Sequence, residues 1–505
     1  MGSVARLVGA ACTFANAVMA VNPVVVKEQE FLDSVTNDRF VIIGVDYQPG
    51  GQGAYGTGSG DPLSNGTTCL RDAALMQQLG VNTIRSYNVD PSLNHDECVS
   101  IFNEIGIYMV IDVNSPLPGQ SIDRTDPSSS YTTSYLEHIF TVVEAFKSYP
   151  NLLGFFSGNE VINDVPTGQA NPPYIRAVQR DLKNYIAAHA QRQIPVGYSA
   201  ADVRGVLQDT WAYLQCNNSN TGSDMSRSDF FGLNSYSWCG NGSNFQTSTW
   251  DQLVEIFGNT TIPVFLSEYG CNQPEPRYFD EVLTLYGPQM TVMSGGLVYE
   301  WTQETSDYGL VQPYGNGSLQ ILGDYNTLMS QYDKLDFATL GTTNSTATSL
   351  TPPACNSNLI SGDGFSTDFN IPQPPSGAEQ LISSGVSSAP TGSIISVTQS
   401  SVQLPVYATN GAEIYGLHIQ AVSTADHPGQ VSGLSTSAPG SSTTGTATSS
   451  GSAGSSGSTS KSTGTASATA SAASGTKTGG ASRPDGQAMG GVLAAAAVGI
   501  VAFAL

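Results

Sequence analysis

Short apolar runs recur through the first 300 residues of the chain, and the stretches between them repeat apolar residues every three or four positions. The runs at 40–45, 83–85, 108–111, 153–156, 195–198, 230–233, 264–266 and 296–298 predict buried strands. The segments at 69–79, 97–105, 135–146 and 175–192 predict amphipathic helices. Strands alternating with helices imply a parallel sheet, and eight repeats favour closure into a (β/α)8 TIM barrel over an open sheet. Polar and aromatic residues collect at the ends of these strands: Asp46-Tyr47-Gln48, Arg85-Ser86-Tyr87, Asp112-Val113-Asn114, Ser157-Gly158-Asn159-Glu160, Asn234-Ser235-Tyr236, Ser267-Glu268-Tyr269 and Tyr299-Glu300-Trp301. In such a barrel the carboxyl ends of the strands face the active site.

Outside that region the pattern changes. Residues 435–481 are almost entirely Ser, Thr, Gly and Ala, too poor in apolar surface to offset the entropy of ordering the chain. They read as an extended stalk of the O-glycosylated kind, preceded by a linker of uncertain structure at 377–434. Within the linker, 402–407 and 412–422 have the composition of short strands. The catalytic module is expected to span 21–376.

Both ends carry addresses. Arg6, the apolar run 7–15 and Val18-Met19-Ala20 have the layout of a secretory signal, the alternative being a short buried helix. At the other end, small residues at 479–481, a polar spacer and the apolar tail 490–505 match a GPI-attachment signal, so 482–505 would be a propeptide removed on anchoring. A transmembrane helix is the rival reading, but sixteen residues rich in Gly and Ala are short for a span. The expected location is the cell surface, on the outer leaflet or in the cell wall.

Charge narrows the partners. Charged residues make up 12% of the chain and the net charge is −23, which leaves little to neutralise phosphates and argues against nucleic acid. Cys12 would leave with the signal, and the six remaining cysteines suggest three disulfides, for which 15 pairings exist. Sequons at Asn65, Asn217, Asn241, Asn259, Asn316 and Asn344 fit N-glycosylation of a secreted chain. No set of His, Cys and Asp has metal-ligand spacing, and no cofactor is implied.

Two carboxylates carry the chemistry. Cleaving a glycosidic bond requires one acid to protonate the leaving oxygen and a second group to attack the sugar or activate water. Glu160, after the fourth predicted strand, and Glu268, after the seventh, offer such a pair. Either glutamate alone fits a salt-bridged loop acid; the joint pattern is the specific signal. Asn159, just before Glu160, is the type of residue that bonds a sugar 2-hydroxyl.

The motifs GVDYQPGG at 44–51, IRSYNVD at 84–90, GFFSGNE at 154–160, LSEYGC at 266–271 and VYEW at 298–301 together resemble the fungal β-1,3-glucanosyltransferases of glycoside hydrolase family 72. The resemblance runs from about 24 to 355 without a missing block. It implies a retaining mechanism, with Glu160 as acid/base and Glu268 as nucleophile. It also implies that Tyr87, Asp112, Asn159, Tyr236 and Tyr299 contact the glucan, with Gln48 a neighbour. The tyrosine rings suit sugar faces, and Tyr236 or Tyr299 would hold Glu268 ionised. Trp238 and Trp301 are further aromatic candidates, and Asp112 has the alternative of pairing with Arg85. The same resemblance pairs Cys69 with Cys98, Cys216 with Cys355 and Cys239 with Cys271. No cysteine follows Cys355, so the chain resembles the subgroup without a cysteine-rich carbohydrate-binding module. The implied activity is transfer between β-1,3-glucan donor and acceptor chains. The alternatives are an endo-β-1,3-glucanase and a non-catalytic glucan-binding wall protein.

Overall fold

A computed structural model of the chain describes residues 21–51, 60–219, 223–342 and 350–422. The expected signal, the stalk, the anchor signal and Asn344 lie outside the described residues.

Eight parallel strands close into a barrel. They are β1 (Ile42–Asp46), β2 (Thr83–Ser86), β3 (Tyr108–Asp112), β4 (Leu152–Asn159), β5 (Val196–Ala201), β6 (Phe230–Ser235), β7 (Val264–Tyr269) and β8 (Met293–Val298). Neighbours in sequence are neighbours in space, and β8 pairs with β1 to complete the ring. The helix after β1 (Gly66–Leu79) starts where the Asn65 side chain accepts from Thr68 N and ends where Gly80 turns left-handed at φ 83°. Similar packing helices follow the other strands, among them Asp96–Glu104, Thr133–Phe146 and Pro172–His189.

The barrel interior is filled from below by aromatic rings. Phe156, Phe230 and Phe265 pack with centroids 5.3–6.0 Å apart, and Phe31 meets Phe230 and Phe265 at 5.9 Å. Phe31 belongs to a hairpin (Val24–Lys27 with Glu30–Asp33) that closes the base of the barrel, a pair absent from the sequence reading. Room for the Phe230 ring exists because Gly197 lies beside it: a Cβ there would stand 2.3 Å from the ring. The larger core lies between the outer faces of the strands and the helices.

The module does not end at the expected 376. Residues 377–422 form a strap across the outer helices, because the few apolar residues in this polar stretch, such as Leu381, Ile382, Val397, Val406 and Leu417, land on that core. Helix Ala378–Ser384 rests on Thr133–Phe146 and Pro172–His189. The backbone N–H of Ile395 donates to Ser100 Oγ, and the Gln77 side chain exchanges two hydrogen bonds with the Gln420 backbone at 2.7 and 2.9 Å. The strand-like segments read in the sequence appear as Val406–Tyr407 and Glu413–Ile414, which extend the hairpin Val311–Pro313 and Leu319–Ile321 into a four-stranded sheet. The strap ends where Val422 N donates to Glu104 O and its side chain joins the cluster at the barrel base. Among the described residues no helix is long and apolar enough to cross a membrane.

Disulfides join Cys69 to Cys98, Cys216 to Cys355 and Cys239 to Cys271. The first staples two outer helices and the second ties the segment before the strap to the end of helix Arg204–Gln215. Of the described sequon asparagines, Asn65, Asn241, Asn259 and Asn316 are exposed and Asn217 is half-buried.

A chain ending at 376 should unfold at a temperature lower by roughly 5 °C or more than one ending at 422, since each kcal/mol lost shifts the midpoint by about 2–4 °C in a large domain. Differential scanning calorimetry of the two truncations measures it; equal midpoints would mean the strap adds nothing to the fold.

Candidate active site

At the carboxyl rim of the barrel, one buried cation organises the acids. Arg85, on β2, is fully buried. Its guanidinium grips Asp112 of β3 with two bonds, Nε to Oδ2 at 2.9 Å and Nη2 to Oδ1 at 3.1 Å. Its Nη1 donates to Glu268 Oε1 at 3.2 Å, and Nη2 also donates to Asn159 Oδ1 at 3.0 Å. The group lies between the rings of Tyr87 and Phe156, 4.3 and 4.6 Å from their centroids. A charge this deep persists only when paired and hydrogen-bonded. Arg85 was read in the sequence only as a possible partner of Asp112. The further signal was an arginine near the end of a strand predicted to be buried.

Glu268, near the end of β7, is held from three sides. Besides Arg85, Tyr87 Oη donates to Oε1 at 2.8 Å and Tyr236 Oη to Oε2 at 2.6 Å. Burial, with the charge of Glu160 added, outweighs Arg85 and the two tyrosines, which favour the ionised form, and leaves this carboxyl raised to about 7. Of the two tyrosines expected to hold it, Tyr236 does so; Tyr299 instead stands edge-on to both Tyr87 and Tyr236, at 6.4 and 6.2 Å.

Glu160 follows β4 with φ 51°, a left-handed conformation costing about 1 kcal/mol or more for a residue with a Cβ. Its position is fixed by its backbone N–H to Ser199 O at 2.9 Å and by Asn234 Nδ2, which donates to Glu160 Oε1 at 2.8 Å and to Asn159 Oδ1 at 3.0 Å. Asn234 is oriented in turn by the hydroxyls of Ser199 and Ser267, both donating to its Oδ1. Asn234 was visible at a strand end but was given no role.

The cleft side carries a tyrosine wall. Tyr308, missed in the sequence, lies 5.5 Å from Tyr236 and 5.3 Å from Tyr299. Arg277 binds the backbone carbonyls of Tyr299 and Tyr308 at 2.7 and 2.6 Å, fixing both loops. The Cys239–Cys271 bridge joins the loops that follow Tyr236 and Glu268.

Three sequence expectations change. Gln48 is buried and spends its amide on backbone, accepting from Tyr87 N and Asn88 N at 3.1 Å and donating to Gly60 O and Asn88 O. Through these bonds it shapes the loop that carries Tyr87. Trp301 is fully buried against Tyr325, and Trp238 packs on Trp250 at 5.0 Å; both serve packing because their apolar rings complete the core beneath the loops. Asp112 takes its alternative role, locked to Arg85, while still lining a small crevice with Tyr87 and Asn159.

Paired glutamates on strands four and seven of a closed barrel, one clamped by an arginine and tyrosines and one beside an asparagine, define a glycoside-cleaving enzyme of the TIM-barrel class. The sequence places it further: residues 13–336 match the glucanosyltransferase family, glycoside hydrolase 72. The chain belongs to that family. It is 52% identical over 422 residues to the 1,3-beta-glucanosyltransferase gel2 of Aspergillus fumigatus, covering 83% of this chain and 87% of that protein. It is 46% identical over 396 residues to the probable 1,3-beta-glucanosyltransferase GAS3 of Saccharomyces cerevisiae, covering 75% of each. Saccharomyces cerevisiae Gas2p in complex with laminaripentaose superposes with a TM-score of 0.63 at 34% identity, over 71% of this chain and 79% of that one.

Glu300 stands beside this site, and burial, then the neighbouring Glu304, push its carboxyl up to about 8. The folded protein therefore holds a proton that the unfolded chain releases near pH 4.5. The stability this gives is complete below that pH and is lost as pH rises through 8. Glu300→Gln should flatten the fall in melting temperature between pH 5 and 8. An unchanged slope would show that Glu300 is ionised in the folded protein.

Proposed function

We propose that the chain is a retaining β-1,3-glucanosyltransferase that cleaves an internal bond of one β-1,3-glucan chain and passes the fragment to another. The observation that carries this reading is the unequal treatment of the two glutamates. Glu268 is buried under three donors that favour its carboxylate, while Glu160 is half-exposed at the rim with a single amide partner. A nucleophile wants the first setting and a group that exchanges protons with substrate wants the second.

In the first step Glu268 attacks the anomeric carbon as Glu160 gives its proton to the leaving glycosidic oxygen. The C–O bond breaks, one glucan fragment departs with a free hydroxyl, and the other is held as an ester on Glu268. In the second step Glu160, now a carboxylate, takes the proton of an acceptor 3-hydroxyl as that oxygen displaces Glu268. Water at roughly 55 M competes, so transfer requires an acceptor held in near-attack geometry. Tyr236, Tyr299 and Tyr308 supply aromatic surface at the cleft for that purpose. The laminari-oligosaccharides named in the Gas2p complexes are β-1,3-glucan fragments, in keeping with such a cleft.

The same reading places the enzyme at the cell surface on a GPI anchor, with glycans on its sequons. The described chain ends at the base of the barrel, opposite the rim that carries the glutamates.

Incubation with a reduced laminari-oligosaccharide should give products both shorter and longer than the donor. Only shorter products would assign hydrolysis instead. Glu160→Gln and Glu268→Gln should each lower the rate by several orders of magnitude. Tyr236→Phe should cost about 10- to 100-fold, the worth of one hydrogen bond to a charged group. Chromatography of the products and anomer analysis by NMR measure these outcomes.

A further inference from the structure

One carboxyl in the rim layer is not used by the chemistry above. Asp46 is the last residue of β1, and Ile42 on the same strand joins the inner cluster, so alternation points Asp46 inward as well. It is fully buried; neither carboxyl oxygen receives a well-aligned hydrogen bond, and the side chain lies within hydrogen-bonding reach of the Tyr87 hydroxyl, whose proton is directed to Glu268. Its backbone carbonyl accepts from Trp301 N at 2.9 Å, which fixes the residue between β2 and β8. The titratable groups facing it are Arg85 and Tyr87, Glu268, Glu300 and Tyr299, with Tyr236 and Tyr332 beyond.

Among the described residues the cation facing Asp46 is Arg85, already shared by Asp112 and Glu268. A third negative charge would sit without donors in a dry layer. Burial, and then the charge of Glu268, hold the Asp46 carboxyl well above the ordinary range. Of two neighbouring buried acids, the proton stays on the one whose carboxylate would have no donor of its own.

We propose that Asp46 is a protonated positioning residue, the end of a line from Asp46 through Tyr87 to Glu268 that fixes which way the Tyr87 hydroxyl points. Tyr87 has one proton to give. An ionised Asp46 would compete for it and strip Glu268 of a donor. A neutral Asp46 offers its own O–H to the Tyr87 oxygen, so the tyrosine proton stays on Glu268 Oε1. The proposal rests on the assigned role of Glu268 only for its kinetic consequence; the protonation of Asp46 stands apart from it.

The test uses the full chain and two variants, D46N and D46A. Infrared difference spectra at pH 6 between wild type and D46N should show a protonated-carboxyl C=O band present only in the wild type. In glucan transfer, D46A should lose about tenfold or more, as expected for a weakened bond to a charged group. D46N keeps an N–H aimed at Tyr87 and should recover to within about threefold of wild type on the same scale. A wild-type spectrum without the band overturns the proposal. So does a D46N that melts like wild type yet is no more active than D46A. If D46A fails to fold, the spectrum still decides, and a folded D46N far below wild-type activity counts against the proposal. Should the wild type show no transfer, the function proposed above fails, and the band alone then decides whether Asp46 is protonated.

Discussion

The Arg85 guanidinium is the constraint on which the rest of the site depends. A cation with no access to water must be matched by acids, and those acids must come from other strands because β2 supplies none. Asp112 gives it a two-pronged partner on β3, Glu268 a third contact from β7, and Asn159 a neutral acceptor from β4. One side chain thus ties four strands at the rim. The same bonds that satisfy Arg85 also set the position of the proposed nucleophile. Removing the cation would leave Asp112 and Glu268 as uncompensated buried charges, a loss in which stability and chemistry are inseparable.

Below that layer the barrel is apolar, and the division is sharp. Phe156 carries Arg85 over its ring and meets Phe230 in a T-shaped contact, so the aromatic plug is the floor of the polar layer. Gly197 matters for the site for this reason, although it lies a layer away: without room for Phe230, the floor could not form. The rim acids therefore work over a low-dielectric base, which strengthens the bonds to Glu268 and raises the cost of any extra charge.

The barrel was legible in the sequence because strand and helix periods alternate and because polar residues stop the apolar runs abruptly. Glu160, Glu268, Asn159 and the tyrosines were legible as residue types at strand ends. What was not legible is which polar groups face each other across the barrel. Gln48 looks like a sugar ligand in a motif, yet its amide is consumed by the backbone of the neighbouring strand end. Trp301 ends a strand like a cleft residue, yet its backbone N–H bonds to β1 and its ring is buried beneath the loop. The strap was missed for a different reason: its apolar residues are spaced for docking on preformed helices, with no periodicity of their own.

Asp46 shows how far such pairing extends. In sequence it is one acid in the strand-end cluster Asp46-Tyr47-Gln48, with no role assigned to it. Its place near Glu268, with no donor of its own, makes the ordinary ionised state the costly one. The two carboxyls then differ by environment alone, one rich in donors and one without. That difference, set by which strand each occupies, decides where a single shared proton resides and leaves Glu268 as the charged partner facing the cleft.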